Sequence, residues 1–293
     1  MTPALQPTRA TRAWEPTRVL RGDVDSGRRL LEGLGSVVVL TGAGMSTESG
    51  VPDYRGPRAQ RATPMMYCEF LADVENRRRY WARNYQGWAH LGQAHPNAGH
   101  RALARWEATG APTRVVGLVT QNVDGLHEAA GQQRIVTLHG RGSEVVCLDC
   151  GQVTARADLQ PRLAALNPEV QPRMDMGHAE LRPDNDAVVE DWHDFAIPEC
   201  LACGGVLKPH VVFFGEPVPK VRVAQAFDWC DEADGLLVAG SSLTVMSGLR
   251  FARFVHKQGK PVVIVNHGAT RADEFATLRL DDSTSAVLSR WAV

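Results

Sequence analysis

Short runs of valine, isoleucine and leucine alternate along this chain with stretches whose apolar residues recur at helical spacing. The runs occupy residues 37–40, 115–120, 135–138, 211–214, 236–239 and 262–265. They are continuously apolar, the mark of strands covered on both faces, as in a parallel sheet flanked by helices. Together they predict an open α/β sheet. Between them, Asn97 is the predicted N-cap of a helix that runs through Leu103 and Trp106 and stops at Gly110. Residues 248–258 predict another, closed by Gly259. After Cys150 the pattern weakens into Pro, Asp, Asn and Ala, so an inserted module is expected at 141–207, within a main domain built from 26–140 and 208–293. The start of the chain carries Arg9, Arg12, Arg18 and Arg21 among prolines with no apolar face. This predicts a disordered tail over 1–25, with a transit peptide as the alternative. No internal repeat is visible.

Composition narrows the classes. A chain of 293 residues can bury one large core plus a satellite. Its formal net charge of -1 supplies no basic field for DNA, RNA or an anionic membrane, so neither is expected as a partner. No stretch approaches the roughly 20 apolar residues of a membrane span. With no apolar leader, the expected address is cytoplasmic, or the mitochondrial matrix if the arginine-rich start is a transit peptide. Oligomeric state has no sequence signal.

Of the cysteines, Cys147 and Cys150 form one C-x-x-C pair and Cys200 and Cys203 a second, each followed by glycine. Paired knuckles of this kind are a strong zinc signal. Four thiolates close a tetrahedron with no open position, so the expected Zn2+ is structural and catalytic zinc is rejected. Disulfides are the alternative, disfavoured in a reducing compartment. Cys68 and Cys230 are expected as buried or partly buried thiols, and His178 and His193 as surface residues.

The first apolar run ends in Thr41 and enters Gly42, Ala43 and Gly44. A strand ending in such a turn lets backbone amides approach a pyrophosphate. On the glycines alone, a ligand-free turn is an equal reading. Thr47 stands where a dehydrogenase fingerprint has its third glycine, and no acidic residue ends a second strand about 20 residues on, which demotes hydride transfer. His139 lies at the carboxyl end of a strand, where open α/β sheets place ligands, and an imidazole with an ordinary pKa near 6.5 is a general base around neutrality. A structural histidine is the alternative. Asn122 and Asp124, two apart, can face one pocket, or Asp124 can cap the next helix as an Asx turn. Gly240, Ser241 and Ser242 end another strand and can bind phosphate or ribose, or form a plain turn.

The continuation through Ser49, Gly50, Val51, Pro52, Asp53, Tyr54 and Arg55 is too specific for a filler loop. Here the chain resembles the sirtuins, the NAD-dependent protein deacylases, whose signature runs without a gap from Gly42 to Arg55. The resemblance resumes at Thr120-Gln121-Asn122-Val123-Asp124-Gly125, at Leu138-His139-Gly140, at both cysteine pairs, at 211–216, at Gly240-Ser241-Ser242 and at Asn266. It covers roughly residues 30–285 and implies a Rossmann-like open parallel sheet with an inserted small zinc-ribbon domain. By resemblance, NAD is consumed as co-substrate. His139 is the catalytic base for the nicotinamide-ribose hydroxyls, Asn122 orients the ribose and a water, Asp124 binds the carboxamide and Gln121 touches the ribose.

Further implied NAD contacts are Gly42, Ala43, Gly44, Ser49, Asp53, Tyr54 and Arg55 in the first motif. Gly240, Ser241, Ser242, Asn266, His267, Gly268 and Thr284 are implied toward the other end. Tyr54 stands where many sirtuins have phenylalanine; its ring still shields. Val212, Phe213, Gly215 and Glu216 are implied to meet the backbone of an acylated-lysine protein substrate by strand addition. The segment from Tyr80 to Trp88 looks most like the class II branch, associated with weak plain deacetylation, other acyl groups and ADP-ribosyl transfer. Tyr80 and Arg83 resemble the acid-selective dyad of desuccinylating sirtuins, but in the wrong register. The leading expectation is a protein-lysine deacylase releasing nicotinamide and O-acyl-ADP-ribose. The alternatives are a protein mono-ADP-ribosyltransferase on the same site, and a non-catalytic NAD-sensing zinc-ribbon interaction protein.

Overall fold

The structure, a computed structural model, describes residues 21–53, 64–91, 94–170 and 191–292. In chain order the first half runs α1 (Val24–Glu32), β1 (Ser36–Thr41), α2 (Tyr67–Ala72), α3 (Val74–Leu91), α4 (Ala98–Thr109), β2 (Arg114–Thr120), α5 (Leu126–Ala129), β3 (Ile135–Thr137), β4 (Gly140–Cys147), β5 (Val153–Ala155) and α6 (Arg156–Leu166). The second half runs β6 (Leu207–Val211), α7 (Lys220–Glu232), β7 (Leu236–Ala239), α8 (Met246–Lys257), β8 (Val262–Val265), β9 (Leu278–Leu280) and α9 (Thr284–Trp291).

Six strands in the order β3-β2-β1-β7-β8-β9 form one parallel sheet. Continuous apolarity arises because successive residues serve opposite layers. Val37 and Val39 of β1 pack with Trp106, Val287 and Trp291, whereas Val38 and Leu40 pack with Trp229, Phe251 and Val255. The α4 prediction holds: Asn97 accepts from the amides of Gly99 and His100, and Gly110 closes the helix at φ 70. The chain leaves β1 toward β2 on one side, and β7 continues the sheet on the other, so β1/β7 is the topological switch point, where such sheets open a crevice.

Two expectations about strands and ends need correcting. The run at 211–214 is not in this sheet: β6 ends at Val211 and pairs antiparallel with β4 in a separate sheet of order β5-β4-β6. The sixth parallel strand is β9, whose middle residue, Arg279, is buried against Asp273 and Asp281 and so hides from an apolar pattern. Nor does the tail extend to residue 25. Asp23 caps α1, Gly22 donates to the Arg279 carbonyl at 3.0 Å and Trp291 Nε1 to the Val24 carbonyl at 2.8 Å. Residues 1–20 lie outside the described residues.

The small lobe takes in more than the expected 141–207. Phe70, Tyr80, Trp81 and Tyr85 of α2 and α3 share one core with Val145, Leu159, Leu163 and Phe195. Trp81 Nε1 donates to the Leu207 carbonyl at 3.2 Å, tying α3 to β6. The passage between lobes is at Gly140, where φ is +87 and a Cβ would lie 2.0 Å from the His210 carbonyl oxygen, a position closed to any other residue.

Candidate active site

At the end of β1 the chain tightens into a 3₁₀ turn, Ala43–Met45, packed against the turn after β7. Gly44 N–H donates to the Gly240 carbonyl at 2.8 Å. A Cβ on Gly42 would sit 2.7 Å from Ser241 Cβ, and one on Gly240, at φ +65, only 2.3 Å from Met45 N. The two turns touch because Gly42, Gly44 and Gly240 put no side chain at the contact, which leaves a cradle at the switch point lined largely by backbone. Asn97 Nδ2 fixes the turn from below through the Met45 carbonyl, 2.8 Å away.

The segment after β2 closes a second wall. Gln121 N–H donates to the Thr41 carbonyl at 2.9 Å, and Ser241 Oγ to Gln121 Oε1 at 2.6 Å. Asn122 Nδ2 donates both to the Gly42 carbonyl and to Ser46 Oγ, each at 3.0 Å. Ser46 in turn donates to Asp124 Oδ2 at 2.7 Å, while Asp124 Oδ1 accepts from Leu126 N–H at 2.9 Å. Asp124 therefore caps α5 and also faces the cavity, so the two readings of this residue coexist. Burial raises its carboxyl above the ordinary value, against the lowering by the Leu126 and Ser46 donors.

His139 follows β3. Its Nδ1 is 2.9 Å from the Gln121 carbonyl, which can only accept, so Nδ1 carries the proton and Nε2 presents its lone pair. Nε2 lies 2.9 Å from Ser247 Oγ on α8. The ordinary value expected near 6.5 does not survive packing. Burial pushes the imidazole down to about 4; the Gln121 bond opposes this, and the Arg222 and Arg250 cations add to it. The ring is neutral throughout the physiological range, which is the state a base needs. Beneath Thr41 and Ser46, His100 and His127 stack edge to face with centroids 4.7 Å apart, both held down by burial.

These walls enclose a cavity of about 630 Å³, a size suited to a cofactor or substrate. Gly42, Ala43, Gly44, Asp53, Gln121, Asn122, Asp124 and His139 all line it. So do Gly240, Ser241 and Ser242, and, from the loop after β8, Asn266, His267 and Gly268. Val212, Phe213, Gly215 and Glu216 form the opposite side. Ser49 and Thr284 do not reach it. Ser49 has a buried hydroxyl without a partner, and Thr284 starts α9 behind the contact between Ser283 and Glu48. Tyr54 and Arg55 lie outside the described residues, as does His178. Sequence reasoning passed over Ser46, which links Asn122 to Asp124, and Ser247; neither has a composition signal, because each acts across 76 or more residues.

The segment from Val212 to Glu216 is more closed than an open strand edge. Val212 N–H donates to the His139 carbonyl, Phe213 N–H to Glu216 Oε2, and the Phe214 carbonyl accepts from Tyr67 N–H. Glu216 also pairs with buried Lys208 at 3.0 Å, so its carboxylate shapes the loop from inside. Phe213 packs against Phe70 and Tyr80, with ring centroids 5.3 and 5.0 Å away.

The four knuckle cysteines converge with all Sγ atoms within 4.8 Å of one another. Cys147–Cys203 and Cys150–Cys200 are 3.5 and 3.8 Å apart, against about 3.8 Å for four sulfurs at zinc bond length around a tetrahedron. Gly151 and Gly204 take φ 74 and 73, and their amides return to the carbonyls of Cys147 and Cys200. The donor set fits a structural zinc. Cys230 is buried, as expected, but Cys68 is exposed. His193 is exposed, 3.3 Å from Glu75.

A profile described as the Sir2 family matches residues 42–247. The NAD-dependent protein deacetylase 1 of Mycobacterium avium is 50% identical over 254 residues, 86% of this chain and 89% of that protein. Its namesake in Streptomyces coelicolor is 52% identical over 250 residues, 84% of this chain and 81% of that one. Among solved structures, a Sir2 complex with a p53 peptide and NAD+ is 29% identical with a TM-score of 0.71, covering 92% of this chain and 97% of that one. Sir2Tm bound to a propionylated peptide is 27% identical with a TM-score of 0.70, over the same shares.

Proposed function

Because the chain belongs to the Sir2 family, we propose that it is an NAD-dependent protein-lysine deacylase whose products are nicotinamide, the free lysine and an O-acyl-ADP-ribose. The observation that carries this reading is the convergence of Asn122, Asp124 and the lone-pair nitrogen of His139 on one cavity at the β1/β7 switch point. NAD, when bound, supplies a ribose carbon that becomes electrophilic as nicotinamide departs.

The remaining work belongs to the protein. The turns at Gly42, Ala43 and Gly44 and at Gly240, Ser241 and Ser242 hold phosphate and ribose through backbone amides and hydroxyls. Asn266, His267 and Gly268 take the adenosine end, and Gln121 and Asn122 the nicotinamide ribose. Asp124 accepts from the carboxamide, for which its fixed carboxyl, braced by Ser46, is pre-oriented. Nε2 of His139 takes the ribose hydroxyl proton.

Acylated-lysine proteins enter between Phe213 and the loop before α8, and because the amides of Val212, Phe213 and Glu216 and the carbonyls of Phe213 and Phe214 are already engaged, strand addition falls to Gly215. Support comes from two structural relatives described with a p53 peptide and with a propionylated peptide. Thiolate zinc ligation suits a reducing compartment, and the cytoplasm is the address this reading takes. Among the described residues no helix is long and apolar enough to cross a membrane.

His139→Ala tests the assignment. Zinc content and NAD binding should match wild type while nicotinamide release falls by roughly 100-fold or more. Release at the wild-type rate would remove His139 as the base.

A further inference from the structure

The catalytic imidazole has a neighbour that the proposed reaction leaves without a task. Ser247 sits in the first turn of α8, where a serine hydroxyl ordinarily bonds nearby backbone. Here its hydroxyl lies 2.9 Å from Nε2 of His139. Since Nδ1 gives its proton to the Gln121 carbonyl, the bond at Nε2 is made by Ser247 donating to the lone pair. A second observation shows that this contact is built. Gly248, the next residue, approaches Gln121 so closely that a Cβ there would meet its side-chain Nε2 at 2.7 Å. The start of α8 is thus pressed onto the same residue whose carbonyl holds the other side of the imidazole.

We infer that Ser247 is a positioning residue for the base, holding His139 between two hydrogen bonds with its Nε2 lone pair directed into the cavity; this rests on the deacylase reading above. The hydroxyl stabilises the neutral ring, whose lone pair it meets, and hands that acceptor to the ribose hydroxyl when NAD is bound. The cations that act on His139 are Arg222 from α7 and Arg250 from α8, while the carboxylates of Asp53, Asp124 and Glu216 line the same cavity. The two cations already disfavour the imidazolium, and Ser247 adds to them.

Zinc-loaded full-length protein is assayed for nicotinamide release with NAD and an acetyl-lysine peptide from about pH 4 to 9, a window that reaches the wild-type acid limb. Ser247→Thr, which keeps the hydroxyl, should retain at least about a third of the wild-type kcat. Ser247→Val has the shape of threonine without the hydroxyl. It should lose about tenfold in kcat with KM for NAD changed less than about threefold, and its acid limb should move up by about one pH unit. A valine variant with the wild-type kcat and limb overturns the inference. So does a loss confined to KM, or a threonine variant as impaired as the valine. If wild-type protein itself releases no nicotinamide, it is the deacylase reading that falls.

Discussion

Ser46 shows how much of the site depends on one small side chain. Its hydroxyl accepts from Asn122 and donates to Asp124, and His100 Nε2 lies 3.5 Å behind it. Ser46→Ala leaves a buried carboxyl with one donor fewer. The expected cost is about 1–3 kcal/mol in urea unfolding, with a raised KM for NAD as Asp124 loses its brace; an unchanged unfolding midpoint would refute the bracing. The residues proposed to carry the chemistry were legible because each belongs to a contiguous run. Asn122 and Asp124 share one short segment, and His139 is flanked by a strand and an obligatory glycine. Ser46 and Ser247 were not, since serine is common and their partners are brought near only by the fold. The lowered pKa of His139 was equally hidden, because burial is a property of packing.

At the scale of elements, the two glycine turns predict a sharp sensitivity. Gly240→Ala puts a Cβ at left-handed φ against the Met45 amide, and should cost about 2 kcal/mol or more with loss of NAD binding. Thermal unfolding and NAD titration read this directly, and a variant as stable as wild type would mean the two turns need not touch. The zinc knuckles predict a local effect. Chelation should raise amide exchange in β4, β5, β6 and α6 while β1, β7 and β8 stay protected, because the small lobe has its own core. Uniform exchange throughout, or none gained, would contradict a lobe held by metal. Five of the six apolar runs are strands of the parallel sheet, since strands buried on both faces must be continuously apolar. The run at 211–214 misled because its apolar residues face the cavity and small lobe, and β9 escaped because Arg279 interrupts it with a buried ion pair.

The whole molecule is a parallel sheet and a small lobe that meet along the cavity, with the neutral imidazole of His139 half-buried in its wall and those of His100 and His127 buried outside its lining. That the small lobe recruits α2 and α3 was not legible, as these helices precede the cysteines by more than 50 residues and no local pattern joins them. His100, His127 and His139 all have folded-state pKa values depressed by burial below an unfolded value near 6.5. Their contribution to stability is fully present above that value and is lost as pH falls, toward about 4 for His100 and His139. Wild-type protein should therefore lose more stability between about pH 7 and 5 than His100→Asn, which removes one such group but keeps the zinc. Parallel losses would show that the imidazoles do not set the acid sensitivity.

The central claim is that this cavity transfers an acyl group from lysine at the expense of NAD, and the products decide it. Zinc-loaded protein, incubated with adenine-labelled NAD and an acetyl-lysine peptide, should yield nicotinamide, deacylated peptide and a small-molecule acetyl ester of ADP-ribose in equal amounts by mass spectrometry. Label retained on protein, or nicotinamide released while the peptide keeps its acetyl group, would contradict the account.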